Sequence, residues 1–112
     1  NEEDDRAFAA DLFRKVIVHD ADNMVYISNK TRNWDVDRIA MMDVLLMKMA
    51  LTEILHFETV PIKVSLNEYI EISKLYSTPK SKIFINGILD KLVQDFRAED
   101  KLLKAGRGLL EG

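Results

Sequence analysis

One apolar stretch dominates this 112-residue sequence and decides its fold: residues 36–57 read VDRIAMMDVLLMKMALTEILHF. Apolar side chains recur there at intervals of three and four residues and spread over almost the whole helix circumference, which predicts a helix at the centre of the molecule. We expect this helix to begin at Asp35 or Val36. Asp43 falls on its apolar side, where an unpaired carboxylate is costly. We therefore expect Asp43 either to accept hydrogen bonds from a neighbouring helix N-terminus or a basic side chain, or to act as a switch or a partner contact.

The composition excludes several classes of protein. Hydrophobic residues make up 47% of the chain, and cysteine is absent, which excludes disulfides, thiolate metal sites and cysteine nucleophiles. No apolar run approaches the roughly 20 residues needed to cross a bilayer, and the start does not resemble a signal peptide. We expect a cytoplasmic protein. Because the chain opens without methionine, we also expect an excised piece of a longer protein.

Charge is unevenly distributed along the chain. The net charge is −3, but residues 1–60 carry twelve acids against seven bases, whereas residues 61–112 carry seven acids against nine bases. The total argues against a strongly basic nucleic-acid binder. The net charge of +2 in the second part leaves room for a local basic face.

Two helices are predicted before the central one. The first begins near Asp4 or Asp5, whose carboxylates suit a helix N-terminus, and runs to Val18. Asp20 or Asp22 caps a short second helix, and residues 29–33 form a polar connector. The methionines of the central helix are predicted to fill gaps in the core. They are Met41, Met42, Met47 and Met49.

Two further helices are predicted after the central one. The first starts at Pro61, or one turn later at Ser65, and ends at Tyr76. The second runs from Pro79 to about Arg97, with Thr78 as its N-cap. The tail is predicted to extend as a short helix through Leu102 and Leu103. We divide the chain into a first helix and connector, a main bundle and a tail, at residues 1–33, 34–98 and 99–112.

Phe84 lies at the edge of the apolar face of the last helix, beside Lys80, Gly87 and Lys91. An aromatic ring flanked by two lysines and a glycine can stack an unpaired base while the lysines contact phosphates. The alternative is a boundary core residue beside two solvated lysines. Gly87 costs a helix interior roughly 1 kcal/mol relative to alanine, so it requires a packing or access reason.

Three apolar residues fall outside the predicted buried faces: Val64, Leu75 and Ile83. Exposed apolar side chains at helical spacing predict a surface for a protein partner. His19 and His56 have no second ligand at metal spacing, so we interpret them as a helix-end and a surface histidine. Phosphate loops, nucleophile elbows and the H-E-x-x-H segment are also missing. We expect no catalytic residues, metal, cofactor or small-molecule substrate.

Three segments together resemble a known family. They are residues 34–40 (WDVDRIA), 61–72 (PIKVSLNEYIEI) and 84–91 (FINGILDK). The pattern V-x-x-N-E-x-I-E, followed by F-x-N-G-x-L-D, resembles the C-terminal half of the NusB family of bacterial transcription antitermination factors. The likeness covers residues 34–91 well and the first helix less specifically.

The resemblance implies an all-α, NusB-like fold that holds the C-terminal helical bundle and the preceding helix. It also implies binding of boxA-like RNA together with the ribosomal protein NusE, and action on the RNA polymerase elongation complex, without catalysis or a cofactor. The family's aromatic at the RNA surface falls on Phe84, and a family acidic position at the RNA and partner surface falls on Asp43. Asn67 and Glu68 match the N-E pair. We assign Asn67 and Asn86 structural roles and place Glu68 at the partner surface with the three exposed apolar residues.

One departure from the family concerns charge. The arginine-rich N-terminal segment of the family has no counterpart here, which predicts weaker RNA binding by this chain alone. Two alternatives stay open. The chain could be the NusB-like RNA-binding domain of a ribosomal RNA cytosine methyltransferase, or a protein-docking helical module without RNA binding.

Overall fold

The computed structural model describes residues 1–32, 39–76 and 78–104, and over these ranges the chain forms five α-helices and no strand. The all-α prediction is confirmed. The helices are α1 (Glu2–Val18), α2 (Asp20–Lys30), α3 (Met41–His56), α4 (Ile62–Tyr76) and α5 (Pro79–Ala98). The division at residues 33 and 98 stays a prediction, although α2 packs against both α3 and α5.

Helix α3 lies at the centre and contacts each of the other four helices. Every residue from Ala50 to Leu55 is buried, including the polar Thr52 and Glu53. The other helices each turn one apolar stripe toward α3, since removing apolar area from water contributes roughly 25 cal/mol per Å². The fully or nearly fully buried members of this core include Ile27, Met47, Leu51, Ile54, Ile62, Ile85, Leu89 and Phe96.

The start of α3 differs from the prediction. Ala40 is the N-cap residue with an extended backbone (φ −60°, ψ 136°), so Ile39 and Ala40 precede the helix. The predicted starting residues, Asp35 and Val36, lie outside the described residues. Asp43 consequently falls in the first turn of α3, where unpaired N–H groups and the helix dipole favour a carboxylate. This position favours a carboxylate, although the residue is only 4% exposed.

The four methionines of α3 differ in burial. Met47 is fully buried and Met49 partly buried, so both fill the core as predicted. Met41 is 87% exposed and Met42 39% exposed. The core-filling prediction is wrong for these two, because Met41 and Met42 lie on an exposed side of the first turn, whereas Asp43 in the same turn is buried.

The N-terminal caps also differ from the prediction. Asn1 caps α1, with its Oδ1 accepting a hydrogen bond from the backbone N–H of Asp4 at 2.9 Å. Asp4 and Asp5 lie in the first turn instead, where their charge still favours the helix dipole. In α2, His19 is the N-cap residue and Asp20 is already helical. The connector predicted from residue 29 begins later, since α2 continues to Lys30.

The helices after α3 follow the prediction closely. The structure bears out the longer version of α4, which begins at Ile62, directly after Pro61. Thr78 is the N-cap residue of α5 and Pro79 its first residue. The predicted buried face of α5 is confirmed, with Phe84 at its partly buried edge.

Residues 99–104, the described part of the chain after α5, do not form the predicted short helix through Leu102 and Leu103. Asp100 takes a left-handed backbone (φ 56°). The N–H of Lys101 then donates to the Phe96 carbonyl at 2.9 Å, and the Asp100 N–H donates to Arg97 at 3.3 Å, which together form a Schellman turn. The turn reverses the chain toward α3. Leu102 packs into the core, and Lys104 Nζ donates to the backbone carbonyls of Glu53 (3.1 Å) and Phe57 (2.8 Å).

Candidate nucleic-acid interface

Four predicted RNA-contact residues lie along one edge of α5. Lys80, Phe84, Gly87 and Lys91 follow one another at intervals of four, three and four residues, which places them on a single stripe of the helix. The two lysines and Gly87 are exposed, and Phe84 is partly buried. The structure therefore brings these four residues together as the sequence predicts.

The middle of this stripe combines a fixed ring with open space. Phe84 packs against the hydrophobic core on one side, which restrains the orientation of its ring. A Cβ atom built on Gly87 meets no heavy atom within 4 Å other than those of its chain neighbours and of its own helix backbone. The glycine is thus not required by packing inside the protein. It leaves room beside the ring that an incoming flat group could use.

Charge along the stripe is available for an anion. Within residues 1–32, 39–76 and 78–104, neither Lys80 nor Lys91 forms an ion pair. Lys82 differs, because it lies on the opposite edge of α5 and exerts its charge on Glu71 of α4. The stripe therefore faces away from α4 and carries two exposed ammonium groups on either side of an aromatic ring.

Asp43 is not an exposed member of this surface. It lies in the first turn of α3, and its burial favours a role within the protein over direct contact with a ligand. Asn67 and Asn86 are both exposed, on α4 and α5. Exposure gives no support to the structural role expected of the two asparagines, which stays a prediction.

Three of the predicted partner residues form a second surface, on α4, and the fourth, Ile83, lies on α5. Val64 is 42% exposed, Leu75 78% and Ile83 73%. Val64, Glu68 and Leu75 lie on one side of α4, since they are separated by four and seven residues. Glu68 is exposed between the two apolar side chains. The surface thus combines apolar contact area with a negative charge.

Comparison with known proteins now identifies the family. The sequence matches the NusB family over residues 1–94. This chain belongs to the NusB family. It is 46% identical over 107 residues to the transcription antitermination protein NusB of Salinibacter ruber, with 94% of this chain and 66% of that protein covered. It is 41% identical over 104 residues to the same-named protein of Chloroherpeton thalassium, with 93% of this chain and 49% of that protein covered.

A solved structure agrees with this assignment. The fold is similar to that of T. maritima NusB, with a TM-score of 0.77 at 27% identity, covering 95% of this chain and 69% of that one. The NusB protein of Geobacter sulfurreducens is 39% identical over 87 residues, or 78% of this chain and 63% of that protein. The chain spans about half to two thirds of the length of these curated relatives.

Sequence reasoning missed a buried polar cluster in this NusB-family chain. Glu53 of α3 is 2% exposed, and its carboxylate accepts hydrogen bonds from Ser65 Oγ at 3.1 Å and from the Tyr69 hydroxyl. Burial raises the pKa of the Glu53 carboxyl above its usual range, and burial together with this carboxylate raises the pKa of Tyr69. The only available signal was the spacing of Ser65 and Tyr69, which puts both on the buried side of α4.

The two histidines, interpreted from the sequence as a helix-end and a surface residue, are neighbours at helix ends and both are partly buried. The rings of His19 and His56 stack with centroids 3.6 Å apart and planes 9° from parallel. Burial, followed by the charges of His19 and Lys15, lowers the pKa of His56 below its ordinary 6.5. No local pattern reveals this contact, because the two residues belong to different helix ends that meet only in the folded chain.

Two kinds of feature are absent from residues 1–32, 39–76 and 78–104. No group of three or more histidine, cysteine, aspartate or glutamate side chains there could hold a metal ion. None of the helices in those ranges is long and apolar enough to cross a membrane.

Proposed function

We propose that this NusB-family chain binds a boxA-like RNA together with the ribosomal protein NusE and modifies elongation by RNA polymerase in transcription antitermination. The observation that carries the proposal is the α5 stripe of Lys80, Phe84, Gly87 and Lys91. The names of the relatives support the antitermination part. A binding role of this kind requires no catalytic group, cofactor or small-molecule substrate, and it is exerted in the cytoplasm, where RNA is transcribed.

The stripe suits single-stranded RNA for three reasons. A base can stack on Phe84, because the ring lies at the partly buried edge of α5 and Gly87 leaves space beside it. Lys80 and Lys91 can contact phosphates on either side of that base. The stripe is only a small patch of positive charge on a chain of net charge −3, so binding depends on a partner or further contacts for strength.

Asp43 acts indirectly in this proposal. Its carboxylate lies buried in the first turn of α3, so it supports the position of that turn and does not touch the RNA. The methyltransferase alternative receives no support from the three relatives described above, each of which is named as an antitermination protein.

The deciding experiment measures binding of a fluorescently labelled RNA that carries a boxA element, with NusE present, by fluorescence anisotropy. Phe84→Leu removes the ring but keeps an apolar side chain against the core, and Phe84→Ala removes both. We expect Phe84→Leu to weaken binding by about 1–3 kcal/mol, or roughly 5- to 150-fold, the range for one stacked base. Circular dichroism checks that each variant is folded.

Phe13→Leu is the matched control, because Phe13 is 68% exposed on α1 and away from the stripe. It should bind RNA as tightly as the unchanged chain. Equal RNA affinity for Phe84→Leu and Phe13→Leu would contradict the assigned stacking site. The absence of any measurable RNA binding in the presence of NusE would contradict the proposed function itself.

A protein-docking role is a second candidate, favoured by the exposure of Val64, Leu75 and Ile83. We propose that these side chains and Glu68 bind NusE. The binding of NusE to this chain would then not require RNA. Leu75→Ser and Ile83→Ser should weaken capture of NusE by the immobilised chain, with Val25→Ser as a control at another exposed apolar position. Capture of NusE that is lost when RNA is removed would contradict this second role.

A further inference from the structure

A cleft of about 370 Å³ lies between α2 and α5, outside the stripe described above. Its volume is within the range of small-ligand pockets. Its lining includes Tyr26, Lys30 and Arg32 from the α2 side. From the other side it includes Asp95, Phe96 and Lys101. None of these residues has a role in the function proposed so far.

The floor of the cleft is aromatic. The Tyr26 ring meets Phe96 edge-on, with centroids 5.0 Å apart and planes at 75°. Phe96 is buried, so it fixes this side of the tyrosine, whereas Tyr26 itself is only partly buried. The ammonium group of Lys101 lies 5.3 Å from the centre of the Tyr26 ring. The face of an aromatic ring that a lysine covers can instead accept a stacked base when the flexible lysine side chain moves aside.

The charge of the cleft favours an anionic ligand. Lys30 pairs with Asp95 at 2.5 Å, and Lys101 pairs with Glu99 at 2.8 Å. These two pairs are internally neutral. Arg32 is exposed, and over the described ranges its guanidinium forms no ion pair, donating only to the side-chain oxygen of Asn29 at 3.4 Å. Among the cations lining the cleft, only Arg32 therefore has no carboxylate partner in the described ranges, and a guanidinium binds phosphate well.

The cleft continues the α5 stripe. Asp95 follows Lys91 by four residues and is therefore the next position along the same edge of the helix. This edge faces α2, as the Lys30–Asp95 pair shows, whereas Lys82 and Glu71 mark the opposite edge, which faces α4. Phe84 and Asp95 are separated by about 16 Å along the helix axis, at 1.5 Å per residue.

We propose that the cleft is a second RNA-contact site, in which a base stacks on Tyr26 while Arg32 contacts a phosphate. This inference rests on the proposed function, because it assigns the cleft to the same RNA strand that crosses Phe84. The strand runs along the α2-facing edge of α5 from one aromatic ring to the other. Nucleotides beyond those at Phe84 therefore add affinity.

The test compares two labelled RNAs in the presence of NusE: the boxA element alone, and the same element extended at either end by about six uridines, since stacking on aromatic rings tolerates any base. We expect one of the two extensions to strengthen binding. Tyr26→Leu, which keeps an apolar side chain against Phe96, should remove that gain and weaken binding of the extended RNA at least about fivefold. Arg32→Gln should lower the salt dependence of extended-RNA binding by about 0.7 in log–log slope.

Arg6→Gln is the matched control, because it removes the same charge from an exposed position on α1. The proposal is overturned if neither extension strengthens binding, or if Arg32→Gln and Arg6→Gln have equal effects. It is also overturned if an acidic peptide binds in an Arg32-dependent manner while the RNA extension has no effect, since the cleft would then serve a protein. In these cases the short RNA still depends on Phe84, whereas failure of the proposed function removes that dependence as well.

Discussion

In the C-terminal half of α3, Glu53 is buried and its carboxylate accepts hydrogen bonds from Ser65 and Tyr69. On the outer edge of α5, by contrast, Lys80 and Lys91 are exposed and pair with no acid among the described residues. The two regions lie in contacting helices. In the first, polar groups are satisfied within the protein and support the fold; in the second, two ammonium groups are exposed on either side of a partly buried aromatic ring. Substitutions should therefore separate stability from binding.

The largest expected effect is on the buried side of this comparison. Glu53→Ala leaves a cavity and removes the acceptor of two buried hydroxyl groups, so we expect the free energy of unfolding to fall by about 2–4 kcal/mol. Urea denaturation followed by circular dichroism measures the change. Glu58→Ala, which removes the same charge from an exposed position, should change stability by less than about 0.5 kcal/mol. Equal effects of the two variants would show that the buried cluster does not stabilise the fold.

A smaller effect of opposite sign is expected at Gly87. A methyl group fits there without contact within 4 Å, so Gly87→Ala should stabilise the chain by about 1 kcal/mol through helix propensity. The same variant should weaken RNA binding, because the methyl group occupies space beside Phe84. Asn86→Ala, one position earlier and exposed, should leave RNA affinity unchanged. If the Gly87→Ala chain were more stable but bound RNA as tightly as before, Gly87 would not be part of the RNA interface.

The stacked histidines predict a smaller, pH-dependent effect. Since burial and the neighbouring charges of His19 and Lys15 lower the pKa of His56 in the folded chain, the unfolded chain binds a proton more readily as the pH falls through 6.5. The contribution of neutral His56 to the stability of the folded chain is therefore complete above pH 6.5 and is lost as the pH falls below it. The groups facing the pair include Lys15 and, with the opposite influence, Asp22.

Denaturation midpoints of the unchanged chain and of His56→Phe, measured between pH 7.5 and about pH 5, test this linkage. The unchanged chain should lose more stability on acidification than the variant, which keeps a stacked ring but cannot take up a proton. Parallel pH profiles for the two chains would contradict a destabilising protonation of His56.

The smallest expected effect on stability is at the lysines of the stripe. Lys80→Ala and Lys91→Ala should each change the free energy of unfolding by less than about 0.5 kcal/mol. Each should nevertheless lower the slope of RNA affinity against salt by about 0.7. Lys63→Ala, at an exposed position on α4, is the control for the removal of one charge. A loss of slope no greater than that of Lys63→Ala would exclude phosphate contacts at the stripe.

Local signals in the sequence were sufficient where the structure depends on neighbours along the chain. Thr78 and Pro79 mark the start of α5, and the spacing of Phe84 from the two lysines holds in the structure. The start of α3 was misjudged because nothing in the apolar pattern distinguishes the extended backbone of Ala40 from a helical one. The turn after α5 was missed because its left-handed position is occupied by Asp100, where glycine is the usual signal.

Contacts between distant segments could not be predicted from spacing. Glu53 and Tyr69 are joined by packing of α3 on α4, and His19 meets His56 only once α1 and α2 lie against α3. The cleft beside Tyr26 likewise requires α2, α5 and the reversed tail together. The candidate stripe was predictable because a single helix carries it, whereas the proposed second site is assembled from three segments.

The contact of Lys104 with the carbonyls of Glu53 and Phe57 has a consequence for hydrogen exchange. The contact joins the chain after α5 to the end of α3. The tail can therefore open only when the last turn of α3 also loses this contact. The backbone amide of Lys101, bonded to Phe96 in the turn before the tail, should then exchange with solvent at the rate of this shared opening, more slowly than a terminal segment held by its own turn alone.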